Sequence, residues 1–199
     1  TMYAGASNTR IYKSSDSGLT WSPLSGGVLT TSNAYTYGCD TDSDGSVVAL
    51  SIFNVGVIYS SNGGSTFSTV KAYTTFQFDE IVLSGDGQKI AASNSTDANV
   101  YVSTNAGSTW TQAAVSAYSS YLDASEDGSV LISTPATYTY PQKSTDWGAT
   151  WTQITTVGQN FSDGASISSD GNLILIGSTT YNAGGIYYST NKGSTFTKS

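Results

Sequence analysis

The sequence predicts an all-β protein, a five-bladed β-propeller formed by a single domain over residues 1–199. Three observations predict it: an eight-residue motif occurs five times, a second turn motif occurs four times between those copies, and no segment shows a convincing apolar stripe of helical period. The glycine of the first motif recurs at intervals of 46, 43, 41 and 45 residues. That spacing is the length of one four-stranded propeller blade.

The first motif reads Ser-x-Asp/Asn-x-Gly-x-Thr-Trp/Phe. Its copies are residues 14–21, 60–67, 103–110, 144–151 and 189–196. A short Asp or Asn side chain can cap nearby backbone N–H groups, glycine takes the sterically difficult position, and the final aromatic ring packs between blades. We therefore expect the central polar residues to be structural: Asp16, Asn62, Asn105, Asp146 and Asn191.

The second motif contains Asp-Gly and occupies residues 43–46, 85–88, 126–129 and 169–172. Asp-Gly between apolar runs is typical of a tight hairpin turn. Each period therefore contains two hairpins, which predict four strands, A to D. In the third copy we expect these strands at Phe78–Leu83, Lys89–Ser93, Asn99–Ser103 and Ser108–Ala113.

The first motif resembles the Asp-box, or BNR, repeat of sialidases, sortilin-type receptors and xyloglucan-cleaving glycosidases. The resemblance covers essentially the whole chain and implies a β-propeller in which the box is a structural turn between strands C and D, away from the ligand face. It does not specify a function. Sialidases are similar to one another in clamping the substrate carboxylate with three arginines, whereas Arg10 is the one arginine of this sequence. The sequence therefore argues against sialidase activity.

The blade count leaves the sequence one strand short of five complete blades. Five C–D hairpins accompany only four A–B turns, and the sequence opens with a predicted strand B at Met2. We expect the first blade to lack its innermost strand in this chain. Either that blade has three strands, or residues from outside the chain supply the fourth. Because an unpaired strand edge invites strand addition, our hypothesis is that an intermolecular strand pairs beside residues 2–6.

The composition excludes several kinds of site. The sequence has 7 Lys and Arg against 14 Asp and Glu, no His and one Cys. Nucleic-acid binding needs clustered basic residues, and His or Cys sets form the usual transition-metal sites, so we expect no nucleic-acid partner, no metal and no cofactor. Without a histidine to activate it, Cys39 is predicted to be a core thiol.

Membrane insertion is not expected, because no stretch approaches 18 apolar residues. The low lysine content and the Ser/Thr/Asn/Tyr-rich composition favour an extracellular or cell-surface protein. Two sequons, at Asn94 and Asn160, give weak support to this location as candidate N-glycosylation sites.

One candidate site lies near the predicted central axis. Counting back seven residues from the Asp of each A–B turn gives Tyr37, Asp79, Ser120 and Asp163. A cluster of Asp79, Glu80 and Asp163, with Tyr37 and Tyr121 nearby, could hold a cation or serve as an acid and nucleophile pair. The alternative, which we favour, is that these groups bond neighbouring strands or water in the channel.

A second candidate site consists of aromatic residues outside the repeat pattern. Five tyrosines fall in the D–A and B–C connections and suit sugar stacking or a protein interface: Tyr73, Tyr118, Tyr138, Tyr140 and Tyr181. The box residue Trp147 has Ser17, Gly63, Ala106 and Lys192 as its counterparts. We therefore expect Trp147 to be exposed in an isolated subunit and covered in an assembly.

Three functions remain open. The leading one is a non-catalytic extracellular interaction or assembly module that binds other protein subunits, including copies of itself. A lectin-like glycan-binding propeller is the alternative. A glycoside hydrolase needs a carboxylate pair, for which Asp79 and Asp163 are the candidates.

Overall fold

The computed structural model describes residues 1–5, 11–24, 35–72, 78–94, 96–113, 115, 119–135, 139–157, 164–178 and 184–199. These residues form five antiparallel sheets and one short 3-10 turn, Thr155–Val157, without an α-helix. No helix in the described ranges is long and apolar enough to cross a membrane. The protein is a β-propeller with one sheet per blade, as the repeat predicts.

The sheets follow one another along the chain. Sheet 1 comprises β1 (Met2–Gly5), β2 (Ile11–Ser14) and β3 (Ser22–Pro23). Sheet 2 comprises β4 (Thr36–Thr41), β5 (Val48–Ile52), β6 (Gly56–Ser60) and β7 (Ser68–Ala72). Sheet 3 comprises β8 (Glu80–Leu83), β9 (Ile90–Asn94), β10 (Asn99–Ser103) and β11 (Thr111–Ala113). Sheet 4 comprises β12 (Ser119–Ala124), β13 (Leu131–Pro135), β14 (Gln142–Ser144) and β15 (Thr152–Gln153). Sheet 5 comprises β16 (Ala165–Ile167), β17 (Ile174–Ser178), β18 (Gly185–Ser189) and β19 (Thr197–Lys198).

The strand predictions for the third copy are confirmed with small shifts. Strand C is Asn99–Ser103, as expected, and strand B is displaced by one residue. Strand D begins later than predicted, at Thr111, because Ser108 and Thr109 belong to the box turn. The first sheet has three strands in the order β1-β2-β3, so it lacks the innermost strand within the described residues.

The core lies between the sheets, where the apolar residues of each sheet meet those of the next. For example, Ala49 and Val57 of sheet 2 pack with Ile81 and Ile90 of sheet 3. In β5 every residue is buried, because one half of its side chains face sheet 1 and the other half face sheet 3. Cys39 packs against the core between sheets 1 and 2, and burial raises its pKa to about 12, so it is a neutral core thiol as predicted.

Each box turn is held by the same hydrogen bonds. In the fourth copy, Ser144 Oγ donates to Asp146 Oδ1 (2.8 Å) and accepts from the Gly148 N–H (2.7 Å), while Asp146 Oδ1 also accepts from the Thr150 N–H (2.8 Å). The corresponding bonds occur in the other four copies. The motif serine therefore satisfies a glycine N–H whose φ is positive, and the Asp or Asn closes the turn.

The inner strands β4, β8, β12 and β16 pack side by side in chain order, and β1 packs against β4. No comparable packing joins sheet 5 to sheet 1 in the ranges that the structure describes. Within the described part of the chain, the first and last sheets therefore each have one side without a neighbouring sheet.

We predict that Ser144→Ala lowers the free energy of unfolding by about 1 to 3 kcal/mol, because it leaves the buried Gly148 N–H without an acceptor. Urea unfolding followed by intrinsic fluorescence measures the change. Thr145→Ala, at the exposed neighbouring position, is the matched control and should change stability by less than about 0.5 kcal/mol. Equal effects of the two substitutions would show that the serine does not hold the turn.

Candidate functional site

A polar cavity lies between the inner strands, where these strands enter the A–B turns. Its volume is about 210 Å³, and its lining includes Asp40, Asp123 and Glu126. Asp40 lies in β4, Asp123 lies in β12, and the strand between them, β8, carries Glu80. The structure therefore brings together acidic residues near the inner strands, and Asp40, Asp123 and Glu126 are not members of the predicted cluster.

Asp40 and Asp123 tie consecutive sheets together. Asp40 Oδ2 accepts a hydrogen bond from the Leu83 N–H of sheet 3 (2.7 Å), and its Oδ1 accepts from the Thr41 N–H (2.8 Å). Asp123 repeats the arrangement two sheets later: its Oδ2 accepts from the Ile167 N–H of sheet 5 (2.6 Å), and its Oδ1 accepts from the Ala124 N–H (2.8 Å). Both carboxylates are thus engaged by backbone donors.

The pKa values of this cluster rise because the carboxylates are buried near one another. Burial raises the pKa of Asp40 to about 6, against the two backbone N–H groups that favour its charged form. Burial and the charges of Asp40, Asp123 and Asp79 raise the pKa of Glu80 to about 7. Burial likewise raises the pKa of Asp123. Desolvation is the largest cause of all three shifts.

The predicted axial residues are only partly assembled. Asp79 directly precedes β8 and its N–H donates to the Ser93 carbonyl (2.9 Å). Glu80 is half-buried, whereas Tyr37 and Tyr121 are 46% and 41% exposed. Asp163 lies outside the described residues, so the pairing of Asp79 with Asp163 stays a prediction. Among the residues described, no group of three or more His, Cys, Asp or Glu is arranged to hold a metal ion.

Sequence reasoning misses Asp40 and Asp123 because it counts back seven residues from the Asp of each A–B turn. Both lie four residues before the Asp of their A–B turns, Asp44 and Asp127. Their counterparts in sheets 3 and 5 are Val82 and Ser166, so an aspartate occurs at this position in every second sheet from sheet 2 to sheet 5. A count of four, matched to the pairing of β4 with β5, would have found the two aspartates.

The prediction that Trp147 is exposed is wrong. Only 3% of the residue is exposed, and its ring packs with Ala91, Val102 and other core residues between sheets 3 and 4. Its Nε1 donates to the Ile90 carbonyl (3.4 Å), and the Lys89 ammonium lies 5.4 Å from the ring centroid. The residue after the central Asp or Asn of a box has positive φ in every copy, and in this copy it directs the large side chain onto the preceding sheet.

The structure also contradicts the prediction that Asn94 is a glycan acceptor. Asn94 is fully buried at the end of β9, its Oδ1 accepts from the N–H groups of Thr96 (2.9 Å) and Asp97 (3.2 Å), and its Nδ2 is buried without a hydrogen-bond partner. A sugar on Nδ2 does not fit this arrangement. The second sequon, at Asn160, lies outside the described residues.

The structure describes only one of the five loop tyrosines proposed for sugar stacking or a protein interface. Tyr140 is half-buried directly before Pro141. The other four lie outside the described residues: Tyr73, Tyr118, Tyr138 and Tyr181. An exposed aromatic group does occur elsewhere, where Tyr35 and Tyr37, 45% and 46% exposed, each make an edge contact with Phe53 at centroid distances of 6.5 and 6.3 Å.

Two apolar surfaces remain on the outer sides of the end sheets. Sheet 5 exposes four large apolar side chains on the side opposite sheet 4: Leu173, Leu175, Ile186 and Tyr188. We name this surface the last-sheet face. Sheet 1 exposes Met2 (46%) and Trp21 (39%), which lie together beside Gly18 on the side opposite sheet 2. We name this surface the first-sheet face, and sequence reasoning identified neither.

Comparisons with known proteins show the fold. No family model matches the sequence, and no curated protein matches it significantly. The chain superposes on a glycoside hydrolase family 74 xyloglucanase from Xanthomonas campestris with a TM-score of 0.67 and 14% identity, covering 95% of this chain and 34% of the xyloglucanase. It therefore spans about a third of that enzyme.

Two further structures are similar over almost the whole chain. A chain of the nidogen–laminin complex gives a TM-score of 0.70 at 12% identity, covering 98% of this chain and 76% of that one. YCF48 bound to D1 peptide gives a TM-score of 0.59 at 15% identity, with the same two coverages. At these identities the similarity establishes a β-propeller fold and no more.

We predict that Glu80→Gln makes the protein more stable at alkaline pH and leaves its stability in acid unchanged. A carboxyl whose pKa is higher in the folded than in the unfolded state stabilises the fold below the unfolded pKa, and this contribution is lost as the pH rises through the folded value. The free energy of unfolding should therefore fall between the ordinary pKa of 4.5 and the folded value of about 7. The substitution should remove that fall and gain roughly 1 kcal/mol near pH 8, because a half-exposed group is partly screened.

Urea unfolding at a series of pH values measures this difference. Glu126→Gln, which removes an exposed charge at the rim of the polar cavity beside Asp40 and Asp123, is the control. A Glu80→Gln curve parallel to that of the unchanged protein would show that Glu80 does not titrate in the predicted window.

Proposed function

We propose that the protein is a non-catalytic interaction and assembly module of the extracellular or cell-surface space, and that an intermolecular strand completes it in a homo-oligomeric or filamentous assembly. The observation that carries the proposal is the inner edge of sheet 1. Among the strands that the structure describes, β1 pairs with β2 alone, so its other edge presents backbone N–H and C=O groups where the other sheets have an inner strand. Such an edge binds an extended strand from another chain.

The axial carboxylates support a non-catalytic role. A glycosidase needs one carboxyl to donate a proton and a second carboxylate free to attack or to activate water. Asp40 and Asp123 instead accept backbone hydrogen bonds that link consecutive sheets. Their geometry serves the architecture of the arc, and the raised pKa values follow from burial between sheets.

The solved propellers of similar shape include complexes with proteins: one is the nidogen–laminin complex, and another is YCF48 with a D1 peptide. The xyloglucanases show that the same fold also serves carbohydrate chemistry. By fold analogy alone, a protein partner and a glycan are both compatible with this chain.

A glycan-binding function is the second candidate, and one observation favours it. The exposed rings of Tyr35 and Tyr37 each contact Phe53 edge-on, which gives an exposed aromatic group that can stack on a sugar face. The Tyr35–Tyr37 group is a single group, so this candidate predicts one saturable glycan site that Tyr37→Ala weakens.

Hydrogen–deuterium exchange at low and high protein concentration tests the proposal. We expect the amides of residues 2–5 that point away from β2 to become protected as the chain self-associates, because an added strand would accept their hydrogen bonds. The amides of the surface turn at residues 61–66 serve as the internal control and should not change. Unchanged exchange at residues 2–5, together with saturable binding on a glycan array that Tyr37→Ala abolishes, would replace the assembly proposal with the glycan-binding one.

A further inference from the structure

We propose that the last-sheet face is a docking surface for the first-sheet face of a second copy of this chain, so that copies join head to tail through a sheet-to-sheet contact. This inference rests on the proposed assembly function and names the surface and the partner. It follows from the register of the sheets, from the chemistry of the two end faces, and from the polar contacts that accompany three of the four internal sheet-to-sheet interfaces.

The last-sheet face has the same register as the residues that join the other sheets. Leu173 and Leu175 lie three and five residues after the Asp of their A–B turn, Asp170. The corresponding positions in sheet 2 are Val47 and Ala49, and those in sheet 4 are Val130 and Ile132. All four of these counterparts are at most 7% exposed and pack against the following sheet, whereas Leu173 and Leu175 are 42% and 40% exposed.

Strand β18 shows the same difference. Ile186 is 56% exposed and lies five residues before the box residue Asn191. The residues at this position in sheets 2 and 3, Val57 and Val100, are fully buried against the next sheet. Around Leu175 and Ile186 the surface forms a shallow, largely apolar depression that also includes Gly164, Ser166 and Gly177. The last-sheet face therefore carries apolar residues at positions that are buried against a following sheet elsewhere in the chain.

The matching face is present on the same chain. Met2 pairs with Ser14, and the residues paired with the other box serines are Val48, Ile90, Leu131 and Ile174, all fully buried against the preceding sheet. Trp21 is the box aromatic, whose counterpart Phe67 is 8% exposed between sheets 1 and 2. The first-sheet face thus has the composition and register of a surface that receives a preceding sheet.

Polar contacts from one strand position mark three of the four internal interfaces and supply a further match. Lys13, Tyr59 and Lys143 lie three residues before the central residue of their boxes, and each donates to a turn carbonyl of the following sheet: Gly63 O (2.9 Å), Gly87 O (3.4 Å) and Gly193 O (3.0 Å). Tyr188 has the same position in sheet 5 and is 38% exposed. We expect its hydroxyl to reach the box turn of the docked copy.

A second copy is the occupant that continues the internal interfaces. At each internal interface, the side of one sheet that faces later residues of the chain packs against the opposite side of the next sheet. Two different surfaces therefore meet, and the contact is heterologous. Sheets 5 and 1 of the same chain do not pack together in the described ranges, which leaves both faces accessible to another molecule. Two copies can therefore satisfy one last-sheet face and one first-sheet face.

Sedimentation velocity over a hundredfold range of concentration tests the inference with the full chain. We expect concentration-dependent assembly of the unchanged protein, and self-association weaker by about tenfold or more in Ile186→Asp and in Met2→Asp, because each places a charge in the apolar contact. Ser108→Asp is the control, since Ser108 is an exposed residue of the box turn of sheet 3, away from both end faces, and the added charge there should leave assembly unchanged.

The mixture of the two variants is the decisive arm. Ile186→Asp retains an intact first-sheet face and Met2→Asp retains an intact last-sheet face, so a head-to-tail contact predicts that the mixture forms dimers that neither variant forms alone. A mixture that stays monomeric, or a wild-type chain that stays monomeric because its own end sheets close, overturns the inference. If both variants assemble like the wild type, these faces are the wrong surface while the proposed assembly function stands.

Discussion

Apolar packing between consecutive sheets is the interaction on which the whole structure depends. A single twisted sheet has two sides, and in the internal sheets both sides carry buried residues, as the uniformly buried strand β5 shows. Each sheet is therefore stabilised by its neighbours along the chain, as in repeat proteins, and not by one core shared by all five sheets. The same constraint gives the end sheets their exposed apolar sides, because a repeat that buries both sides of each internal sheet leaves one side of the first and last sheets without a partner.

The polar residues near the axis are best understood from the same packing. Asp40 and Asp123 lie where the inner strands meet, and each bonds the backbone of the following sheet. Burial raises the pKa of both carboxylates, an effect common at catalytic sites, but here the backbone bonds account for their position. Trp110 and Lys143 add further links, since Trp110 Nε1 donates to the Val70 carbonyl (3.0 Å) and Lys143 reaches the turn of sheet 5.

The repeat made the fold predictable from sequence, whereas the details of the sites depended on strand register. Two turn motifs at constant spacing located the hairpins and the three-stranded first sheet. Finding the buried carboxylates required the strand register, because a count of seven residues from the turn selects Tyr37 and Ser120 in the strands that carry Asp40 and Asp123. Trp147 was misassigned because its counterparts suggested a solvent-exposed tip, while the positive φ of that position directs the ring onto sheet 3.

The central claim is that the end faces belong to an open arc and bind another copy. Energy transfer between dyes on Ser15→Cys of one chain and Thr190→Cys of another, both exposed positions in the first and last box turns, tests it most directly when Cys39 is replaced by alanine. The account predicts that energy transfer between singly labelled chains rises with protein concentration. Within a doubly labelled chain, diluted into a large excess of unlabelled protein, it predicts only the low transfer efficiency set by the distance between two end sheets that do not touch. Strong, concentration-independent transfer within one chain would show that its own first and last sheets close on each other, and would contradict the account.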